Sequence, residues 1–281
     1  MTARKTKSSS DLKYLRLLEK LRDEVDPALR DCGAARALDF FASVGAASRP
    51  ILGADGRALR WQNEIILAHI PARATVLDLG CGDGELLAEL MRKKQVQGQG
   101  VELCPASVGE CVRRGVPVVQ MDVDAGLRNI PDGSFDYVVL EETLQTLQHP
   151  DVILREMLRV GRCGIVSFPN FAYWQVRLDL AIRGRMPRTG WLPYTWYNTP
   201  NIHNLSVQDF RCWAQEKKIA VKAGYVLSQG KVRAMQDGDN LYAEEAMFVV
   251  ERRQISPPKR AAAKRRNGNE KITGKKIGGG E

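Results

Sequence analysis

The sequence predicts an α/β fold in which a mostly parallel sheet carries helices on both faces and is closed by a late antiparallel hairpin. Three observations predict it. From Trp61 onward, short β-branched or apolar runs alternate with helix-like segments, the pattern of parallel strands joined by crossover helices. A glycine-rich stretch, DLGCGDGE, falls at the seam between the first strand run and the first helix run. The next two strand runs end in acids, Glu102 and Asp122, at the carboxyl edge where open sheets of this kind bind ligands.

In chain order, residues 1–10 (MTARKTKSSS) read as a disordered basic tail. Behind Ser10 and Asp11, which suit a helix start, Leu12, Leu15, Leu18, Leu21 and Val25 recur at helical spacing. Ala34 to Val44 reads as a second helix, and SRPILGADGR as the loop that follows, so residues 11–60 form a helical extension. The main domain, 61–252, holds seven strand runs: ATVLDLG, QGQGVEL, VPVVQMD, FDYVVLE, CGIVSFP, IAVKAGYVL and EEAMFVVER. Helical patterns lie between them at Glu85 to Lys94, Ala106 to Arg114 and Val152 to Arg159. A later helix is capped by Ser206 and runs to about Lys217. Residues 169–205 are long for a strand-to-helix connection and read as an insertion over the ligand mouth. Residues 253–281 read as a second disordered basic tail.

Composition narrows the class. The chain has 281 residues, 44% hydrophobic, enough for a buried core. No apolar run approaches the ~20 residues of a membrane span, and the polar start lacks a secretory signal, which predicts a cytoplasmic protein with no membrane partner. Six scattered cysteines and three histidines, with no C-x-x-C pair, predict reduced thiols and no metal site. The net charge of +9 is unevenly placed. Residues 252–281 carry ten Lys or Arg against two Glu, and Arg4, Lys5 and Lys7 add three more, which leaves the rest at −2. A near-neutral body argues against a dedicated nucleic-acid face and leaves only weak contact through the tails.

Gly80, Gly82 and Gly84 allow a sharp turn and a close backbone approach to a ligand. The spacing departs from the dinucleotide pattern G-x-G-x-x-G, and Asp78 and Asp83 would repel a phosphate but suit an ammonium or sulfonium. Glu102, about 20 residues past the loop, stands where an acid accepts from both ribose hydroxyls. Asp122, between Met121 and Val123, can accept from the exocyclic amine of adenine beside an apolar face. These positions together describe S-adenosylmethionine, and Asp78 to Gly84, Glu102 and Asp122 resemble the class I S-adenosylmethionine-dependent methyltransferase superfamily. The resemblance implies a Rossmann-like seven-stranded fold. It implies that S-adenosylmethionine or S-adenosylhomocysteine is held by Asp78, Gly80, Cys81, Gly82, Asp83, Gly84, Glu102, Leu103, Met121, Asp122, Val123 and Leu140.

The runs DLGCGDGELL, SFDYVVL, TLQ, REMLRVGR, GIVSFPNF, GRMP and WYNTPNIH, between about Trp61 and Gln229, are more particular. They resemble the methionine biosynthesis protein MetW family. The resemblance implies a methyltransferase-like fold and work in methionine synthesis alongside homoserine O-acyltransferase, without methylation as the defining activity. The chain departs from that pattern in three places: the extensions at both ends, Glu141-Glu142 where the family tends to show Ser-Gln before TLQ, and Cys104 after the ribose acid.

Methyl transfer needs alignment and, for some nucleophiles, a base. Glu141 and His203 are the candidate bases, with His149 weaker, so an active small-molecule methyltransferase is the alternative function and a nucleic-acid-associated one a lesser alternative. In the 169–205 insertion, Trp174, Trp191 and Trp196 and three tyrosines are interleaved with arginines. Such residues favour recognition surfaces, which makes Trp174, Arg177, Arg185 and Trp196 candidate partner-binding residues.

Overall fold

The computed structural model describes residues 60–252; the helical patterns before residue 60 and both basic tails lie outside the described residues. The domain opens with α1 (Trp61–His69), a helix whose apolar residues are not gathered on one face, so no helical spacing marks it in the sequence. Next come β1 (Thr75–Leu79), α2 (Glu85–Lys94), β2 (Gln97–Glu102), α3 (Pro105–Arg113) and β3 (Val118–Gln120). They are followed by β4 (Phe135–Leu140), α4 (Pro150–Val160) and β5 (Gly161–Pro169). After the short α5 (Trp174–Leu178) come α6 (Val207–Glu216), β6 (Ile219–Ser228), β7 (Lys231–Ala234), α7 (Asp239–Tyr242) and β8 (Glu245–Arg252).

The sheet has the order β3-β2-β1-β4-β5-β8-β6-β7. The first five strands run parallel, and β8 enters antiparallel between β5 and β6. Strand β7 is one more than the sequence patterns gave. Its four residues, KVRA, are too few and hold a single β-branched residue, and pairing with β6 makes them a strand. The chain order reverses between β1 and β4, and ligands bind at such a switch point in open α/β sheets.

Side chains of successive strand residues point to opposite faces and so build two cores. One face collects Leu77, Leu79, Val138, Leu140, Val166, Phe168 and Phe248 beneath Ile153, Met157 and Phe210. The other collects Val76, Val139, Ile165, Met247 and Val249 beneath Ile66, Leu87 and Leu90. Helix α2 shows how the pattern works: Leu86, Leu87 and Leu90 are buried, Glu85 is in its first turn, and Arg92, Lys93 and Lys94 are in its last. Each charge sits at the end the helix dipole favours. Among the described residues no helix is long and apolar enough to cross a membrane.

Candidate ligand site at the strand ends

The register of the sheet lines up Asp78 with Gly100 on β2 and Val139 on β4, so its carboxyl group stands at the mouth of the switch point. Beyond it Gly80, Gly82 and Gly84 all take positive φ, +75°, +55° and +77°. A Cβ on Gly80 would lie 2.5 Å from Thr143 Oγ1, so the turn after β4 rests directly on the glycine loop. At Gly82 a Cβ would meet nothing within 4 Å. Bare backbone therefore faces open space there. Glu102 anchors this arrangement: Oε2 accepts from the Gly82 amide at 2.9 Å and Oε1 from the Cys104 amide at 2.8 Å.

Other candidates serve the loop itself. Asp83 accepts from the Glu85 amide at 3.2 Å, which caps α2, and from Arg114 at 2.8 Å. Cys81 is buried with its Sγ 3.8 Å from that of Cys111, and burial pushes both thiols upward. Leu140 and Val123 are buried in the core, Met121 packs against its edge, and Leu103 is largely exposed at the end of β2. Asp122 caps the turn after β3 by accepting from the Asp124 amide at 2.9 Å.

The turn after β4 gathers charge. Glu142 holds φ +52°, a left-handed backbone that costs a non-glycine residue energy and recurs at functional sites. The Glu141 side chain is only 6% exposed, and Arg60 Nη1 lies 3.9 Å from its Oε1. Burial pushes Glu141 up to about 7, opposed by Arg60 and reinforced by Glu142 and Glu85. Burial and the Glu141 charge push Asp78 up to about 8. The start of β8 adds Glu245, which accepts from Trp61 Nε1 at 2.5 Å and Gln62 Nε2 at 3.1 Å. Gln62 Nε2 also donates to Glu142 at 3.2 Å. Sequence reasoning missed Glu244, Glu245, Gln62 and Gln145 as site residues; the adjacent pair Glu244-Glu245 at a strand start and the TLQ run that holds Gln145 were the signals available.

The two histidines fall elsewhere. His203 lines a mainly apolar cavity of about 290 Å³ with Leu144, Leu154, Phe210 and Trp213, although its backbone amide donates to the Gln145 carbonyl at 3.0 Å. His149 precedes α4, and its amide donates to Asp124 at 3.0 Å. Within the insertion, Arg177 turns inward: Nε donates to the Ala172 carbonyl at 2.6 Å and Nη2 to that of Asn240 at 3.4 Å. Tyr173, Val176 and Leu192 form a small core that Trp174 flanks. Trp191 Nε1 donates to Glu244 at 2.5 Å and ties the insertion to β8. Trp196 is 77% exposed, with Tyr197 and Arg185 also exposed.

The family model for methionine biosynthesis protein MetW matches residues 60–250. The chain belongs to the MetW family. A bifunctional methionine biosynthesis protein MetXA/MetW of Rhodopirellula baltica is 36% identical over 205 residues, 69% of this chain and 33% of that protein. Ajmaline N-methyltransferase of Rauvolfia serpentina is 34% identical over 95 residues, 32% of this chain and 33% of that protein. The chain thus spans about a third of the length of each relative. The solved structure of the [4+2]-cyclase SpnF superposes with a TM-score of 0.52 at 15% identity, covering 83% of this chain and 94% of that one, and shares the fold alone. This MetW protein has the Rossmann-like methyltransferase fold, and its family's business is methionine biosynthesis.

Proposed function

We propose that this protein binds S-adenosylmethionine, or its product S-adenosylhomocysteine, and works in cytoplasmic methionine synthesis beside homoserine O-acyltransferase. The observation that carries the ligand is the glycine loop: bare backbone at Gly82 opens on free space between Asp78 and Glu102, both acids and neither suited to a phosphate. The fusion of MetXA and MetW parts in one relative supports the partner. The exposed side of the insertion, Trp196, Tyr197 and Arg185, supplies the docking surface; Arg177 and Trp174 support it from within.

Calorimetry tests the ligand: S-adenosylmethionine binds and NAD does not, and NAD binding of comparable strength sinks the assignment. For the partner, Trp196→Ala and Arg185→Ala should each weaken association with the acyltransferase of the same cell, by ~2 kcal/mol at an anchor residue. They should leave S-adenosylmethionine affinity within a few-fold. An active methyltransferase is the second reading. The enclosed Glu141, brought to about 7 at the mouth of the switch point, favours it as a base poised near neutral pH.

A further inference from the structure

The next step rests on S-adenosylmethionine occupying the glycine loop and concerns the space beside it. Five acids converge there: Asp78 at the end of β1, Glu141 and Glu142 after β4, and Glu244 and Glu245 at the start of β8. Glu245 is satisfied by Trp61 and Gln62, and Glu244 by Trp191, Tyr173 and the Gln229 amide. Glu141 is not. Its nearest cation among the described residues, Arg60, stands 3.9 Å away, beyond hydrogen-bond reach, and is itself 60% exposed. Among the described residues Glu141 Oε1 is enclosed without any hydrogen-bond partner.

A second atom, outside the acidic cluster, shows the same deficit. Gln145 is buried; its Nε2 donates to the Glu142 carbonyl at 2.7 Å, while its Oε1 is enclosed and unpartnered among the described residues. The two residues belong to one turn, the turn that Thr143 seats on Gly80. Both orphaned atoms are acceptors. A buried acceptor without a donor is costly, a charged one most of all. The group that completes this turn brings N–H donors for both oxygens and positive charge for the carboxylate.

We propose that the cleft between β1 and β4 binds a small protonated amine beside the S-adenosylmethionine site, with its N–H groups shared between Glu141 and the Gln145 side-chain oxygen. An alcohol of the same size supplies one donor and no charge. A carboxylate brings no donor for either oxygen. Arg60 stands beside Glu141 without hydrogen-bonding it and so leaves the oxygen open to a donor.

The test uses the full chain saturated with S-adenosylhomocysteine and titrated in a calorimeter with propylammonium chloride, 1-propanol and sodium propionate. Propylammonium should bind about tenfold more tightly than propanol or better, a difference set by its charge and its additional N–H donors, and propionate not at all. Glu141→Gln and Gln145→Leu should each cost about tenfold in propylammonium affinity. S-adenosylhomocysteine affinity should hold, and both variants should still unfold cooperatively. Equal binding of amine and alcohol overturns the proposal without needing any variant, and so does an amine affinity untouched by Glu141→Gln in a folded protein. Binding of S-adenosylhomocysteine with no amine binding overturns the amine site alone. Failure of S-adenosylhomocysteine to bind removes the underlying reading and this proposal with it.

Discussion

Gly80 holds φ +75° with Thr143 Oγ1 where a side chain would begin, so two independent penalties attach to any replacement. Gly80→Ala should lower stability by about 1–3 kcal/mol, read as a lower melting temperature, and weaken S-adenosylmethionine binding, because the loop and the turn after β4 must separate. Glu102→Ala removes the acceptor of two backbone amides as well as the proposed ribose contact; ligand affinity should fall by ~1–3 kcal/mol in calorimetry. Glu141 and Asp78 make a pH prediction. Burial raises their folded-state values from 4.5 to about 7 and from 3.8 to about 8, so the folded protein holds protons that the unfolded chain has released. The stability these groups allow is therefore present in full below about pH 4 and lost as pH rises towards 8. The melting temperature of the ligand-free protein should fall across that window. Glu141→Gln should flatten the fall, and a steepened fall would speak against a buried, proton-holding Glu141.

At the scale of elements, α6 starts with a reciprocal cap: Ser206 accepts from the Asp209 amide at 3.1 Å, and Asp209 accepts from the Ser206 amide at 2.9 Å. Ser206→Ala should cost about 1 kcal/mol of stability in thermal or urea unfolding, with ligand binding intact, because the cap satisfies the first turn of α6 and touches none of the glycine loop. The insertion divides into two kinds of residue that composition alone treats alike. Arg177 bonds backbone carbonyls and Trp191 bonds Glu244, so they fix the insertion to the domain. Trp196 and Tyr197 stack edge to face with ring centres 5.6 Å apart, both exposed. Arg177→Ala should therefore lower the melting temperature, whereas Trp196→Ala should leave it unchanged and weaken only the partner complex.

At the scale of the molecule, charge is separated from the domain that carries the site. Residues 60–252 hold 22 Lys or Arg against 23 Asp or Glu, while residues 253–281 hold nine against two. Removal of residues 253–281 should abolish most retention on heparin, since polyanion binding follows the local surplus of positive charge. Strong retention by the shortened chain would reveal a basic face on the domain. The same division keeps the carboxylate-rich cleft free of nearby cations other than Arg60 among the described residues, which suits a cationic ligand at the switch point.

What the sequence determined by itself was written by short-range physics. Short apolar runs at Val76 to Leu79 and Val138 to Leu140, helical spacing in α2 and α4, the Ser206 cap and the glycine seam each depend on neighbours a few residues away. Those signals were enough for the fold class and for the loop between Asp78 and Gly84. Tertiary structure decided what depends on distant partners. It made a strand of Lys231–Ala234 through pairing with β6, turned Arg177 inward, and pressed Thr143 against Gly80. It also carried Glu244 and Glu245 across some hundred residues of chain to stand by Glu141 and Glu142, because β8 inserts next to β5. Burial then set the chemistry. A carboxyl group's proton affinity depends on the water and charge around it, and only the folded sheet removes the one and gathers the other.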